Sequence, residues 1–105
     1  MARLPSSFRS RNRTSENFRR QYAALPVAVK EAIREACLLF DRDPAHPSLR
    51  HHELRDVKKG KHAPRSFSVS PTMQHRAIYV AVDGVNVWYW VGTHAEYKIY
   101  TASPG

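Results

Sequence analysis

The fold is decided by Arg76-Ala77-Ile78-Tyr79-Val80-Ala81-Val82-Asp83-Gly84-Val85-Asn86-Val87-Trp88-Tyr89-Trp90-Val91. Two β-rich runs stand here with only Asp83-Gly84 between them, the strongest short-range signal for a β-hairpin. Counting outward from the turn pairs Val82 with Val85, Val80 with Val87, Ile78 with Tyr89, and Arg76 with Val91. The other face then carries Ala77, Tyr79, Trp88 and Trp90. Both faces are apolar. One is expected to pack on helices, and the other needs a helix, a partner chain or a ligand to cover it. Just upstream, Phe67 and Val69 alternate with Ser66, Ser68 and Ser70, which predicts a further half-buried strand.

Nearer the N-terminus the period changes from two to about 3.6. Thr14 or Ser15 is placed to cap a helix, Glu16 suits its dipole, and Phe18, Tyr22 and Leu25 form one buried stripe. Pro26 breaks this helix and suits the first turn of the next. In that second helix Val29, Ile33, Ala36, Cys37 and Phe40 share a face, while Lys30, Glu31, Arg34 and Glu35 turn to water. Asp43-Pro44-Ala45-His46-Pro47 ends it, because two prolines cannot continue a helix. The expected class is α+β: an N-terminal helical hairpin packed on an antiparallel sheet of three to four strands. Residues 1–14 read equally as a basic arm or as a short first strand around Leu4–Phe8, and residues 15–105 as one domain.

Charge narrows the partners. Against 9 Asp+Glu stand 17 Lys+Arg, a net charge of +8 with histidines neutral. That excess predicts attraction to nucleic acid, an anionic membrane surface or an acidic protein. No apolar run approaches the length needed to span a bilayer, and no apolar stretch follows the basic N-terminus as in a secretory signal. The single cysteine, Cys37, excludes an internal disulfide and fits a cytoplasmic location.

Two groups of residues suggest chemistry. The block from Arg50 to Arg65 places Arg55, Lys58, Lys59, Lys61 and Arg65 in a loop beside the sheet, as candidate contacts to RNA phosphates. Gly92-Thr93-His94-Ala95-Glu96-Tyr97 follows the last strand and sets His94 near Arg76 at one end of the hairpin. A guanidinium among Ile78, Val80 and Val82 has to be paired or has to line a polar groove. Zinc spacing, a glycine-rich phosphate loop, a nucleophile elbow and a carboxylate pair for magnesium are all missing from the sequence.

Taken in order, these pieces resemble the RelE/ParE superfamily of bacterial toxins. The matching segments are Tyr22-Ala23-Ala24-Leu25-Pro26, Asp43 to Leu49, His51-His52-Glu53-Leu54, Ser66-Phe67-Ser68-Val69, His75-Arg76-Ala77-Ile78-Tyr79 and Val91 to Tyr97. The resemblance runs from about Phe18 to Tyr100. It implies a helical hairpin on a twisted antiparallel sheet, and the toxin component of a type II toxin–antitoxin pair. The implied activity is metal-independent endoribonuclease action on mRNA, on or off the ribosome, with no cofactor. The implied protein partner is a cognate antitoxin, with no membrane involved.

Position by position, the resemblance assigns His94, Arg76, His52 and Tyr97 to catalysis. His94 and His52 match histidines of the YafQ-like branch. Arg76 matches the arginine of the penultimate strand, and Tyr97 falls where an aromatic follows His94. Two positions depart from that branch: Ser68 stands where it has a histidine, and Thr72 where it has an aspartate. Two further readings stand beside the nuclease, and these departures favour the second of them. One is a gyrase inhibitor of the ParE kind; the other is a noncatalytic partner-binding protein of the same fold.

Overall fold

A computed structural model of the chain describes residues 11–102. Along the chain the elements are β1 (Asn12–Thr14), α1 (Glu16–Ala23), α2 (Val27–Arg42), a 3₁₀ turn (Pro47–Leu49), β2 (His52–Glu53), β3 (Ser66–Val69), β4 (His75–Val82), β5 (Val85–Thr93) and α3 (His94–Thr101). The alternative first strand at Leu4–Phe8 lies outside the described residues. The strands form one sheet in the order β1-β5-β4-β3-β2. β1 runs parallel to β5, and the remaining neighbours are antiparallel.

The fold class is therefore α+β as expected, but the sheet is mixed and has five strands rather than three or four. The two additional strands carry no hydrophobic alternation that could announce them. β2 is two residues long. β1 is polar, and it is held by the buried Asn12 side chain, whose Oδ1 accepts from Trp88 Nε1 at 2.8 Å and Asn86 Nδ2 at 3.2 Å.

The hairpin turn has positive φ at both Asp83 (50°) and Gly84 (79°), as its two-residue length demands. From there Val82 pairs with Val85 and Val80 with Val87, as counted from the sequence. The register then shifts. Tyr79 faces Trp88, Ile78 faces Trp90, Ala77 faces Val91, and Arg76 faces Gly92. The expected pairs Ile78–Tyr89 and Arg76–Val91 do not form, because β5 carries one extra residue, Tyr89, as a β-bulge.

This one residue divides the core. On one face Tyr79, Trp88, Ala77 and Val91 pack with Phe18 of α1 and with Ile33 and Phe40 of α2. On the other face Ile78 and Trp90 pack with Leu54 and with Tyr97 of α3, while Tyr89 and Tyr100 lie against them. The second face is thus covered by α3, one of the three coverings its composition called for.

Local signals explain the helices. Ser15 caps α1 by accepting from Phe18 N at 3.1 Å. Pro26 is the N-cap of α2 rather than a residue of its first turn. Tyr22 O–H donates to Lys30 O at 3.2 Å and ties α1 to α2. Burial pushes the Cys37 thiol up to about 12, so it stays protonated and unreactive. α3 opens on a capping box: Glu96 N donates to Thr93 Oγ1 at 3.1 Å, and Thr93 N donates to Glu96 Oε1 at 2.8 Å. No helix among the described residues is long and apolar enough to cross a membrane.

α3 sits close to β5 because Gly92 has no side chain. A Cβ there would lie 2.8 Å from Trp90 Cη2 and 2.9 Å from Glu96 Oε1. Gly92→Ala is expected to cost about 1–3 kcal/mol, the usual penalty of overpacking. Urea unfolding of the two proteins measures it, and equal midpoints would show that α3 docks more loosely than this.

Candidate functional site

Arg76 is the unusual residue. It is only 6% exposed, yet among the described residues no carboxylate lies within ion-pair distance of it. Its Nη1 donates to three backbone carbonyls, Thr72 O at 3.1 Å, Met73 O at 3.1 Å and His75 O at 2.7 Å. The turn between β3 and β4 thus wraps one end of the guanidinium. Buried cations are normally matched by an anion. Here the charged neighbour is another cation, Arg50. Burial first and Arg50 second hold the Arg76 pKa below the ordinary arginine value, while Tyr97 acts in the opposite direction.

His94 is the first residue of α3, so the capping box that starts the helix also sets its position. Its backbone N–H donates to Gln74 O at 2.7 Å, tying it to the same turn that holds Arg76. The ring is partly exposed. Its pKa is lowered by partial burial, then by Arg76, Lys98 and Arg50, which all repel a proton. The imidazole is therefore neutral near pH 7. Tyr97 lies one helical turn on, with its ring centroid 6.3 Å from that of His94.

The resemblance assigned Tyr97 to the reactive set. Its side chain is 6% exposed, as buried as Arg76, and packs against Trp90. Its ring lies tilted at 34° to that of His94. His52 is exposed on edge strand β2, where its Nδ1 bonds Arg50 O at 2.7 Å. The register runs His52–Ser68–Ile78, so His52 shares the α3 face with Arg76 but stands two strands away, roughly 10 Å to the side. The fold brings Arg76 and His94 together and leaves His52 at the rim.

The two departures have structural roles. Ser68 is fully buried opposite Ile78, and its hydroxyl has no hydrogen-bond partner. No proton-transfer group occupies that place. Thr72 Oγ1 bonds His75 Nδ1 at 2.9 Å and accepts from Gln74 N at 3.1 Å. It shapes the turn whose carbonyls hold Arg76.

The basic loop is built against the second core. Arg55, Lys58, Lys59, Lys61 and Arg65 are all exposed. Their backbone is pinned by Lys61 N to Tyr100 O at 2.7 Å and by Ala63 N to Tyr89 Oη at 2.9 Å. Ser66 Oγ also meets Tyr89 Oη, at 2.6 Å. The bulged tyrosine therefore seats the loop that carries the charge.

Sequence reasoning counted Arg50 in the basic block without giving it a role. The fold places it at the end of the 3₁₀ turn in the left-handed region, with φ 47° and ψ 41°. That conformation costs a residue with a Cβ about 1 kcal/mol. The signal that singles it out is tertiary, since its charge reaches both Arg76 and His94. The next residue, His51, turns to the opposite face. Its Nε2 meets Tyr79 Oη at 2.7 Å, its Nδ1 meets Pro44 O at 3.2 Å, and its ring lies against Phe40 and Phe67. Among the described residues no three of His, Cys, Asp or Glu gather as metal ligands. What the arrangement offers chemically is a fixed guanidinium and a neutral imidazole at one positively charged place, suited to an anion.

No family model and no curated protein matches the sequence. Solved structures share its fold. YafQ from E. coli strain BL21(DE3) superposes with a TM-score of 0.59 at 17% identity, over 82% of this chain and 94% of that one. The RelBE2 toxin–antitoxin complex from Mycobacterium tuberculosis gives 0.58 at 22% identity, over 79% and 95%. A copper-bound mutant toxin from Helicobacter pylori gives 0.59 at 16%, over 82% and 96%. The chain has the RelE/YafQ-like toxin fold.

Two pH effects follow. In NMR titrations His94 is expected to titrate below the ordinary histidine value of 6.5, and Arg76→Ala is expected to move it upward. An unshifted His94 in that variant would separate the two groups. Burial also lowers the His51 pKa, while the Pro44 bond opposes this and His52 adds to it. The unfolded chain then binds the extra proton first, so stability falls as pH drops through about 6.5. Urea midpoints measured from pH 7.5 to 5.5 should decline in the wild type and decline less in His51→Phe.

Proposed function

We propose that this protein is the toxin of a type II toxin–antitoxin pair and acts as an mRNA endoribonuclease. The observation that carries the reading is the buried Arg76 guanidinium, which has no carboxylate within ion-pair distance among the described residues and stands beside a neutral imidazole. A phosphodiester supplies the missing negative charge. The exposed cations of the basic loop hold the flanking phosphates, giving affinity without sequence choice.

The chemistry is intramolecular transfer at phosphorus. The ribose 2′-oxygen attacks the adjacent phosphorus, its proton passes to His94, and the bond to the 5′-oxygen breaks. The products are a 2′,3′-cyclic phosphate and a 5′-hydroxyl. His94 suits the role of base because the cations around it keep it unprotonated before substrate arrives. Arg76 stabilises the charge that builds on the phosphorane oxygens. The leaving oxygen takes its proton from water. Written this way, the reaction needs no metal.

An antitoxin is the natural protein partner, since RelBE2, whose toxin fold this chain shares, is a toxin–antitoxin complex. A chain of net charge +8 suits an acidic, amphipathic one. The place of action is the cytoplasm, where mRNA and reduced thiols are found. Ser68 favours one competing reading, a partner-binding protein of this fold that does not cut RNA.

Expression followed by mapping of RNA 5′ ends tests the proposal. The wild type should arrest growth and generate new 5′-hydroxyl ends. His94→Ala and Arg76→Ala should each lose about 10²–10⁴ in cleavage rate while keeping the wild-type circular dichroism. Full cleavage by both variants would remove this site, and no cleavage by the wild type would leave the binding reading.

A further inference from the structure

Arg50 stands where the backbone favours glycine. It closes the 3₁₀ turn with φ 47° and ψ 41°, its side chain is exposed, and among the described residues it has no ion-pair partner. Leu49, just before it, bonds Ser70 beside Val69, whose strand partner Ala77 adjoins Arg76, and the charge of Arg50 reaches both Arg76 and His94. Clustering like charges and adopting a disfavoured conformation both cost stability. A position that bears both costs without a local partner is one where an external group supplies the compensation.

We propose that Arg50 is a second phosphate-contacting residue of this site, closing with Arg76 on one phosphodiester of a single-stranded RNA. The proposal rests on reading the Arg76 site as a phosphate site and does not depend on whether the strand is cut. The two arginines are differently prepared. Arg76 is fixed by three carbonyls and presents a rigid wall. Arg50 is exposed and free to swing onto a bound anion.

Its backbone is nevertheless anchored on both sides. Leu49, immediately before it, is 1% exposed in the first core, and its carbonyl accepts from Ser70 N at 2.7 Å. His51, immediately after it, is gripped by Tyr79 and Pro44. What projects into solvent is the side chain. An anion held between Arg50 and Arg76 would also screen the two charges that repel a proton from His94, together with Lys98 nearby. Binding thereby prepares the imidazole to accept one.

The test uses the whole protein and a short single-stranded oligonucleotide with 2′-O-methyl riboses, which binds without being cleaved. Arg50→Gly removes the guanidinium and relieves the backbone. It should weaken binding about ten-fold or more and flatten the dependence of log K on log salt by about 0.7. Its melting temperature should equal or exceed that of the wild type, and His94 should titrate higher. Arg50→Lys should restore most of the salt dependence but only part of the affinity, because an ammonium cannot make the paired contact. Arg42→Gln, which removes an equal charge at the end of α2, should leave the affinity within two-fold.

Unchanged RNA binding by Arg50→Gly, or a marked fall in its melting temperature, would overturn the proposal. Arg50-dependent binding of an acidic peptide with RNA binding indifferent to the substitution would do the same. Arg76→Ala in parallel separates the levels. If only Arg50→Gly is silent, Arg50 alone leaves the site; if both are silent, the phosphate site itself is wrong.

Discussion

The arrangement of this molecule depends on one extra residue in β5. In a regular hairpin, Trp88 and Trp90 would share one face and Tyr89 would stand on the other. The bulge at Tyr89 breaks the alternation, so that Trp88 enters the core beneath α1 and α2 while Trp90 turns to the other side. There Trp90 and Ile78 form the apolar floor on which Tyr97 and Tyr100 of α3 rest. Removing a large aromatic from water is worth a few kcal/mol, enough to hold an eight-residue helix that would not persist alone. Because α3 docks there, its first residue, His94, arrives beside Arg76. The leftover tyrosine is used as well, since its hydroxyl seats the basic loop.

With that scaffold fixed, electrostatics determine what the site favours. Among the described residues Arg76 finds hydrogen bonds but no counter-charge. Neutral carbonyls satisfy N–H donors and offset only part of the cost of enclosing a cation. Arg50 and Lys98 add to the positive potential instead of relieving it. An acid at Thr72 would have neutralised this turn. The hydroxyl there organises the same backbone and leaves the charge unopposed. A threonine in this turn adds no negative charge beside Arg76. Ser68 adds none either, being a buried hydroxyl without a partner.

What could be read from the residues follows from how local each feature is. Asp83-Gly84 and the alternation around it announced the hairpin, and the helix stripes through Phe18, Ile33 and Phe40 announced the first core. The bulge could not be seen, because Trp88-Tyr89-Trp90 offers three aromatics and any of them fits either face. One slipped residue moved Arg76 from Val91 to Gly92 but kept it near His94, which is why that pairing remained legible. α3 carried a readable start, Thr93-His94-Ala95-Glu96, but only a brief apolar pattern behind it. β1 is held by Asn12 through bonds to Trp88 and Asn86, contacts about seventy residues distant that no local pattern encodes. Arg50 was hidden for a similar reason. Its left-handed backbone comes from the burial of Leu49 and the capture of His51, which are properties of the folded state.

The segment from Leu49 to His52 shows how the core and the site constrain one another. Successive residues serve different faces. Leu49 and His51 enter the first core, against Phe40, Phe67 and Tyr79, whereas Arg50 and His52 remain on the exposed side with the sheet's charged face. Anchors on both sides of Arg50 leave the backbone little freedom, so the chain between them accepts a conformation that arginine disfavours. A hydrophobic residue at position 51 would fill the same space but lose the bonds to Tyr79 and Pro44 that fix its angle. A flexible residue at position 49 would release the turn. The basic character of the surface is therefore not a property of composition alone. It depends on an aromatic core that decides, residue by residue, which way each charge is held.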